Sequence, residues 1–125
     1  MAKQSYLVRT QFTITIQEGD TGSIPFIVPA LFDMTGKDII FEVEDEDGIS
    51  VFKKQLDSAE TEIELALDDS SGQLFYVLLD GEESKGHAAT NHSWELQAYD
   101  DEEINTIGKG TFVIQSEIID EGIGE

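Results

Sequence analysis

The stretch Trp94-Glu95-Leu96-Gln97-Ala98-Tyr99 decides the fold, because its first, third and fifth side chains are apolar and polar groups separate them. A period of two places one set of side chains in a core and the other in water, which is typical of a β-strand. The same alternation recurs at residues 12–16, 39–44 and 62–67. Short alternating segments at spacings of roughly 8–12 residues predict an all-β sandwich or barrel.

Turn signals separate the predicted strands. Pro25 and Pro29 place the second strand at a sheet edge, because proline donates no hydrogen bond to a neighbouring strand. Asp47-Gly48 predicts a hairpin turn. Asp80-Gly81-Glu82-Glu83 has capping-box spacing, which predicts a single helical turn at about residues 81–86. The predicted strands lie at about residues 11–17, 23–29, 38–44, 49–54, 61–67, 73–79, 92–99 and 109–116. We expect at least about seven strands in two packed antiparallel sheets.

Length and composition predict one domain. A chain of 125 residues with 39% apolar side chains has enough apolar surface for one core of two packed sheets. We expect an N-terminal arm at 1–10, the sandwich at 11–120 and a C-terminal tail at 121–125. Without cysteine, neither disulfides nor thiolate-bound metal can support the fold. We find no signal peptide or membrane-spanning run, so we expect cytoplasmic synthesis without an export signal and no membrane partner.

The charge is strongly acidic, with 27 Asp and Glu against 7 Lys and Arg, for a net charge of −20. Such a surface repels phosphate backbones, which excludes nucleic acid as the expected partner. The first acidic residue is Glu18, so Lys3 and Arg9 make the preceding segment basic. This arm could dock on the acidic body of a neighbouring copy, or it could be a frayed terminus.

The alternation also predicts which residues are buried. One strand, residues 73–79, is apolar on both faces, which indicates cover on both sides. It is either a central strand capped by the turn at 80–86 or a surface buried by another chain. The predicted core contains Ile14, Phe41, Leu65, Trp94 and Phe112. The predicted interface contains Lys3, Arg9, Phe75, Val77, Leu79, Ile118 and Ile119.

We find no catalytic pattern in the sequence. His87 and His92 are the only histidines, and we expect solvated loop residues rather than metal ligands. No serine lies in a nucleophile-type turn, so we expect neither an enzyme nor a cofactor. Residues 45–48 and 100–103 present several carboxylates within a turn, which leaves calcium as an alternative to solvated hairpin tips. Sugar binding usually needs exposed aromatic rings, and the only tryptophan, Trp94, is predicted to be in the core. Tyr99, on the opposite face, is the better candidate for a surface aromatic. The signal for sugar binding is therefore weak.

The order of these segments is moderately specific. It comprises Gly19-Asp20-Thr21, Asp33-Met34-Thr35-Gly36, Ile39-Ile40-Phe41-Glu42-Val43, Asp47-Gly48, and residues 72–78, 94–100 and 106–114. This order resembles the immunoglobulin-like β-sandwich domain of tailed-phage structural proteins, including the N-terminal domain of siphophage baseplate upper proteins. The resemblance implies an immunoglobulin-like two-sheet antiparallel β-sandwich with at most one short helical turn.

The resemblance also implies a role. It indicates a non-catalytic structural protein of the virion, in the baseplate, tail, neck or head decoration. The expected partners are other virion proteins and further copies of the chain. Two alternatives remain open at this point. One is a host-surface or carbohydrate-binding module of the same fold, and the other is a non-viral adhesion or calcium module.

Overall fold

A computed structural model describes residues 10–11, 13–29, 37–57, 61–69, 72–101 and 104–116. Within these ranges the chain forms nine strands and one 3-10 turn, Gly81–Glu83, which follows β7. The strands are β1 (Thr10–Gln11), β2 (Ile14–Gln17), β3 (Gly22–Pro29), β4 (Asp38–Glu44), β5 (Ser50–Gln55), β6 (Ile63–Asp69), β7 (Gly72–Leu79), β8 (Ala89–Tyr99) and β9 (Ile104–Gln115).

The strands form two sheets. The larger has the order β1-β9-β8-β4-β5, with β2 also paired to β9, and the smaller has the order β3-β7-β6. In immunoglobulin-like sandwiches strands B, E and D share one sheet and C, F and G the other, with C′ added beside C in variable-type domains. Here β3, β7 and β6 take the first set of places, and β4, β8, β9 and β5 take the second. The fold is therefore an immunoglobulin-like β-sandwich.

One edge of the larger sheet departs from the expected antiparallel pairing. β1 and β2 both run parallel to β9, with Ile14 opposite Phe112 and Gln17 opposite Gln115. Parallel pairing is possible here because the first and last strands have no direct connection, and only strands joined by a tight turn must be antiparallel. The antiparallel pairing expected for the sandwich holds for the other described strand pairs.

An aromatic cluster fills the centre of the core. The rings of Phe26 and Trp94 lie 5.4 Å apart between centroids, and Phe41 lies 5.6 Å from Phe26 and 5.9 Å from Trp94. Phe112 continues the cluster, 6.2 Å from Phe41. Antibody domains join strands B and F with a disulfide at the core. In this cysteine-free chain, Phe26 on β3 and Trp94 on β8 form an aromatic contact between the corresponding two strands.

The structure differs from the predicted core at one position. Leu65 is 42% exposed, because β6 is an edge strand and its register with β7 shifts between Leu65 and Leu67. Leu65 still lies opposite the buried Phe75, and the β-bulge after it reverses the phase, so that Leu67 lies opposite Leu74. The other four predicted core residues are buried: Ile14, Phe41, Trp94 and Phe112.

The predicted turns are present. Gly48 has a φ of 81° in the β4–β5 hairpin, a conformation that favours glycine. In the capping box, the Glu82 amide donates to the Asp80 carboxylate and the Asp80 amide donates to the Glu83 carboxylate, both at 3.1 Å. The turn then packs at one end of the sandwich, where the Gly19 amide donates to Ser84 Oγ at 2.8 Å.

A buried ion pair joins the two sheets at the same end. Lys54 points inward from β5 in the larger sheet and pairs with Glu83, in the turn that follows β7 of the smaller sheet. Burial lowers the pKa of Lys54, and the nearby carboxylates of Asp80 and Glu62 only partly oppose that shift. The pair links β5 of the larger sheet to the turn that follows β7 of the smaller sheet.

Two strands extend further than predicted. β8 begins at Ala89 and β9 at Ile104, whereas the sequence predicts starts near residues 92 and 109. The register between β8 and β9 shifts near Leu96, where Ile107 is an extra residue in the longer strand. This bulge hides the alternation over the first part of β9, because both Ile107 and Gly108 are buried.

Candidate docking surface

The outer face of the smaller sheet is apolar. In one cross-strand row Ile27 lies opposite Leu74, which in turn lies opposite Leu67. Side chains alternate along each strand, and the intervening residues Phe26 and Phe75 are buried, so this row points away from the core. We define the apolar face as Pro25, Ile27, Leu67, Leu74, Tyr76 and Leu78.

The apolar face is open to solvent at its two outer strands. Ile27 is 74% exposed and Leu67 is 52% exposed, whereas the central side chains of β7 are half-buried between them. Among the outward positions on these strands whose side chains the structure describes, only Glu64 is charged. A single charged side chain among these described positions is few for a chain with 27 acidic residues.

The dimensions of the sheet set the size of the face. Strands of eight residues, such as β3 and β7, are about 27 Å long, and three strands are about 14 Å wide. The face then covers on the order of 400 Å², which is within the range of about 300–600 Å² for the largest apolar patch of a monomer. Patches of this size are often functional.

A small cavity continues the apolar surface around the edge of β3. It has a volume of about 60 Å³, comparable to about two water molecules. Pro25 and Ile27 belong both to its wall and to the apolar face, and Ile107 and Gly108 form the side contributed by β9. The apolar surface thus reaches from the smaller sheet toward the larger one.

The structure corrects the predicted interface residues on β7. Phe75 and Val77 are buried in the core, and Leu79 is partly buried against it. The outward residues are their neighbours, because a strand that is apolar on both faces contains no signal for which face points inward. β7 is a central strand, but the turn after it packs on the Gly19 turn instead of covering the strand. The predicted interface residues Lys3, Arg9, Ile118 and Ile119 lie outside the described residues.

The outer face of the larger sheet is polar by contrast. A cross-strand row runs Lys53, Glu42, Glu95, Lys109, so two carboxylates lie between two lysines. Thr106 Oγ1 donates to Glu95 at 3.1 Å. A shallow cavity of about 440 Å³ lies over this row. Its lining comprises Glu42, Glu44, Ser93, Trp94, Glu95, Lys109 and Gly110. These four charged side chains make the outer surface of the larger sheet polar.

Tyr99, the predicted surface aromatic, is held in a hydrogen-bond network. Its hydroxyl donates to Asp38 at 2.9 Å, and Gln55 Nε2 donates to the same carboxylate at 2.7 Å. Burial raises the pKa of Asp38, but the hydrogen bonds from Gln55, the Asp57 amide and Tyr99 outweigh it and leave the pKa below its ordinary value. The hydrogen bond to Asp38 raises the pKa of Tyr99. The ring is thus half-buried and fixed, which is a poor arrangement for a sugar platform.

In residues 45–48, the first of the two candidate calcium turns, the first carboxylate accepts hydrogen bonds from the turn itself. The second candidate, residues 100–103, lies only partly within the described residues. Asp45 Oδ1 accepts hydrogen bonds from the amides of Asp47 at 2.9 Å and Ile49 at 3.0 Å, which closes the β4–β5 hairpin. Within the described ranges, no group of three or more His, Cys, Asp or Glu residues could hold a metal ion. No helix in the described part of the chain is long and apolar enough to cross a membrane.

His92 is not the solvated loop residue that the sequence suggests. Because β8 begins at Ala89, His92 lies inside the strand, opposite Phe112, and is buried. Its Nε2 donates to the carbonyl oxygen of His87 at 2.7 Å. His92 therefore ties the preceding loop to the core, which is a structural role, and His87 remains exposed.

Comparisons with known proteins concern the fold only. Neither a family model nor a curated protein matches the chain. The extracellular fragment of novel immune-type receptor 10 from Ictalurus punctatus is similar, with 5% identity, a TM-score of 0.45 and coverage of 85% of this chain and 99% of that chain. The extracellular domain of the voltage-gated sodium channel beta4 subunit has 11% identity, a TM-score of 0.40 and coverage of 89% and 96%. The inferred receptor binding domain of human endogenous retrovirus envelope EnvP(b)1 has 9% identity, a TM-score of 0.46 and coverage of 88% and 91%. At these TM-scores the likenesses add nothing to the strand order and indicate no partner.

Proposed function

We propose that this chain is a non-catalytic module that docks on other proteins through the apolar face. The observation that supports the proposal is the outward row of Ile27, Leu74 and Leu67, exposed at Ile27 and Leu67, on an acidic protein. Fully burying a side chain of this type contributes about 1.5–3 kcal/mol before the costs of association. A face with this much unburied apolar surface gains stability when a partner covers it.

The shape of the face favours a protein as the partner. Small-molecule sites are concave and enclose most of the ligand, whereas this face is an open sheet surface. Trp94 is buried and Tyr99 is tied to Asp38, so neither presents a free ring on which a sugar could stack. Exposed apolar residues that surround a half-buried tyrosine are common at the centres of protein interfaces.

The biological setting of the module is a more specific part of the proposal. The ordered motifs described above favour a structural role in a tailed-phage particle, with virion proteins and further copies of the chain as partners. A host-surface or adhesion module is the second candidate, and it would use the same apolar face. In both settings the chain works by docking and performs no reaction.

A matched pair of variants tests the proposed function. Leu67→Glu places a charge on the apolar face, and Ile104→Glu places one on a side chain of the larger sheet that is 64% exposed. After chemical crosslinking of intact cells or particles that contain the tagged chain, which retains weak contacts, we expect wild type and Ile104→Glu to elute in complexes well above 13.8 kDa. Leu67→Glu should elute as the free chain, because a buried unpaired charge opposes docking.

The same elution profiles can contradict the proposal. Both substituted side chains are exposed, so the two variants should keep the melting temperature of wild type, which must be checked first. If wild type elutes as the free chain, or if Leu67→Glu stays in the same complexes as wild type, the apolar face is not a docking surface.

A further inference from the structure

We propose that the occupant of the apolar face is a second copy of this chain, stacked sheet on sheet about a two-fold axis. The inference rests on the proposed function and adds the identity of the partner. Two features support it, the blocked edges of three strands and the distribution of charge, and the size of the face sets the strength of the association.

The edges formed by β3, β6 and β5 disfavour association by strand addition. Pro25 removes an amide donor from the edge strand β3, and β6 has a bulge between Leu65 and Leu67. In β5, Val51 is an extra residue in the pairing with β4, and the Gln55 amide already donates to Glu62 at 3.0 Å. Prolines and bulges are devices that prevent edge-to-edge pairing. The face of the smaller sheet has no such protection.

The charge distribution permits face-to-face contact between two acidic chains. Among the outward positions described on the smaller sheet, only Glu64 would bring charge into such an interface. Charge on the outer face of the larger sheet acts from a greater distance, and salt screens it over a Debye length of about 8 Å at physiological ionic strength. Stacked sheets also match each other in twist, since two sheets of the same hand pack at about 30°. A second copy therefore supplies an apolar surface of matching size and shape.

The size of the face sets the strength of the association. A standard interface buries about 800 Å² on each partner, and the apolar face offers about half of that. We therefore expect reversible dimers, with a dissociation constant above about 10 µM. Such dimers form where copies are concentrated, as they are in a multi-copy assembly.

Complementary charges on the face test for a second copy. One variant combines Ile27→Lys with Leu67→Lys, and the other combines Ile27→Glu with Leu67→Glu. These positions flank Leu74 on both sides, so a two-fold axis along β7, or across it at Leu74, brings a substituted residue opposite another. Like charges then meet when each variant is alone, and opposite charges meet in the mixture.

Sedimentation velocity over about 0.01–1 mM protein measures the monomer–dimer equilibrium of each sample. Wild type should dimerise, and more strongly at about 0.5 M than at about 0.05 M salt, because salt screens the net repulsion. Each variant alone should associate at least about 30-fold more weakly than wild type, and the equimolar mixture should recover at least about 10-fold. As a control, Ile104→Lys, Ile104→Glu and their mixture should each associate as wild type does.

The outcomes separate this inference from the proposed function. The second copy is excluded if wild type stays monomeric at about 1 mM, or if the mixture associates no better than its components. If crosslinked complexes then still depend on Leu67, the docking module stands and its partner is a different protein. If a chain ending at Ser116 dimerises and the full chain does not, residues 117–125 occupy the face, which also overturns the inference.

Discussion

Trp94→Ala should lower the free energy of unfolding by about 3–5 kcal/mol, which is the usual cost of truncating a large buried aromatic side chain. Trp94 is 2% exposed and its ring contacts Phe26 across the sandwich and Phe41 beside it. The alanine leaves a cavity between the sheets, where the chain has no disulfide to hold them together. Domains have a total stability of about 5–15 kcal/mol, so the variant should be close to unfolding at 37 °C.

Urea denaturation followed by circular dichroism measures this loss. Trp94→Phe keeps a ring in the cluster and should lose less, about 1–3 kcal/mol. Ile104→Ala, at an exposed position, should stay within about 0.5 kcal/mol of wild type. If Trp94→Ala loses less than about 1 kcal/mol, the tryptophan does not hold the sheets together and the sugar-platform interpretation returns.

Lys54→Met should cost about 2–4 kcal/mol, because it leaves the Glu83 carboxylate without the ammonium group that it pairs with. Methionine keeps most of the aliphatic stem of the lysine, so the loss reports the charge and not the packing. The Asp80 amide still donates to Glu83 and keeps the capping box closed. The expected effect is large because this pair joins the two sheets.

Two further variants show whether the loss of unfolding free energy in Lys54→Met comes from the unpaired Glu83 carboxylate. Lys54→Met combined with Glu83→Gln should recover most of it, because the glutamine accepts from the Asp80 amide and leaves no unpaired charge. Lys85→Met breaks an exposed pair with Glu82 at 3.4 Å in the same turn and should cost under about 0.5 kcal/mol. Equal losses for Lys54→Met and Lys85→Met would mean that the Lys54 pair contributes no more than a surface pair.

The sequence pattern predicts the fold class where side-chain period and turn chemistry agree. Residues 39–44 alternate cleanly and form β4, and Asp47-Gly48 forms the hairpin that follows. Pro25 correctly places β3 at a sheet edge, because its missing donor excludes it from a central strand. The alternation of apolar and polar residues over 94–99 also correctly predicts that Trp94 is buried in the core.

The docking surface is harder to predict, because it depends on which side of β7 faces the core. Phe75 and Leu74 are equally apolar, and only pairing with β3 and β6 decides that Phe75 points inward. The outward position of Leu67 follows from the bulge after Leu65, because a bulge shifts the phase of the alternation without changing the composition of the strand. Lys54 is buried because Glu83, distant in the chain, meets it across the sandwich. Contacts of this kind leave no local signal in the sequence.

Solvent paramagnetic relaxation of isoleucine and leucine methyl groups tests the docking face most directly. A soluble paramagnetic probe reports the solvent contact of Ile27, Leu67 and Ile104, which are all exposed in the isolated chain. On assembly, we predict that the relaxation enhancement falls at Ile27 and Leu67 and stays unchanged at Ile104. Enhancements that stay unchanged at Ile27 and Leu67 in an associated sample, or that fall at Ile104 instead, would contradict the account.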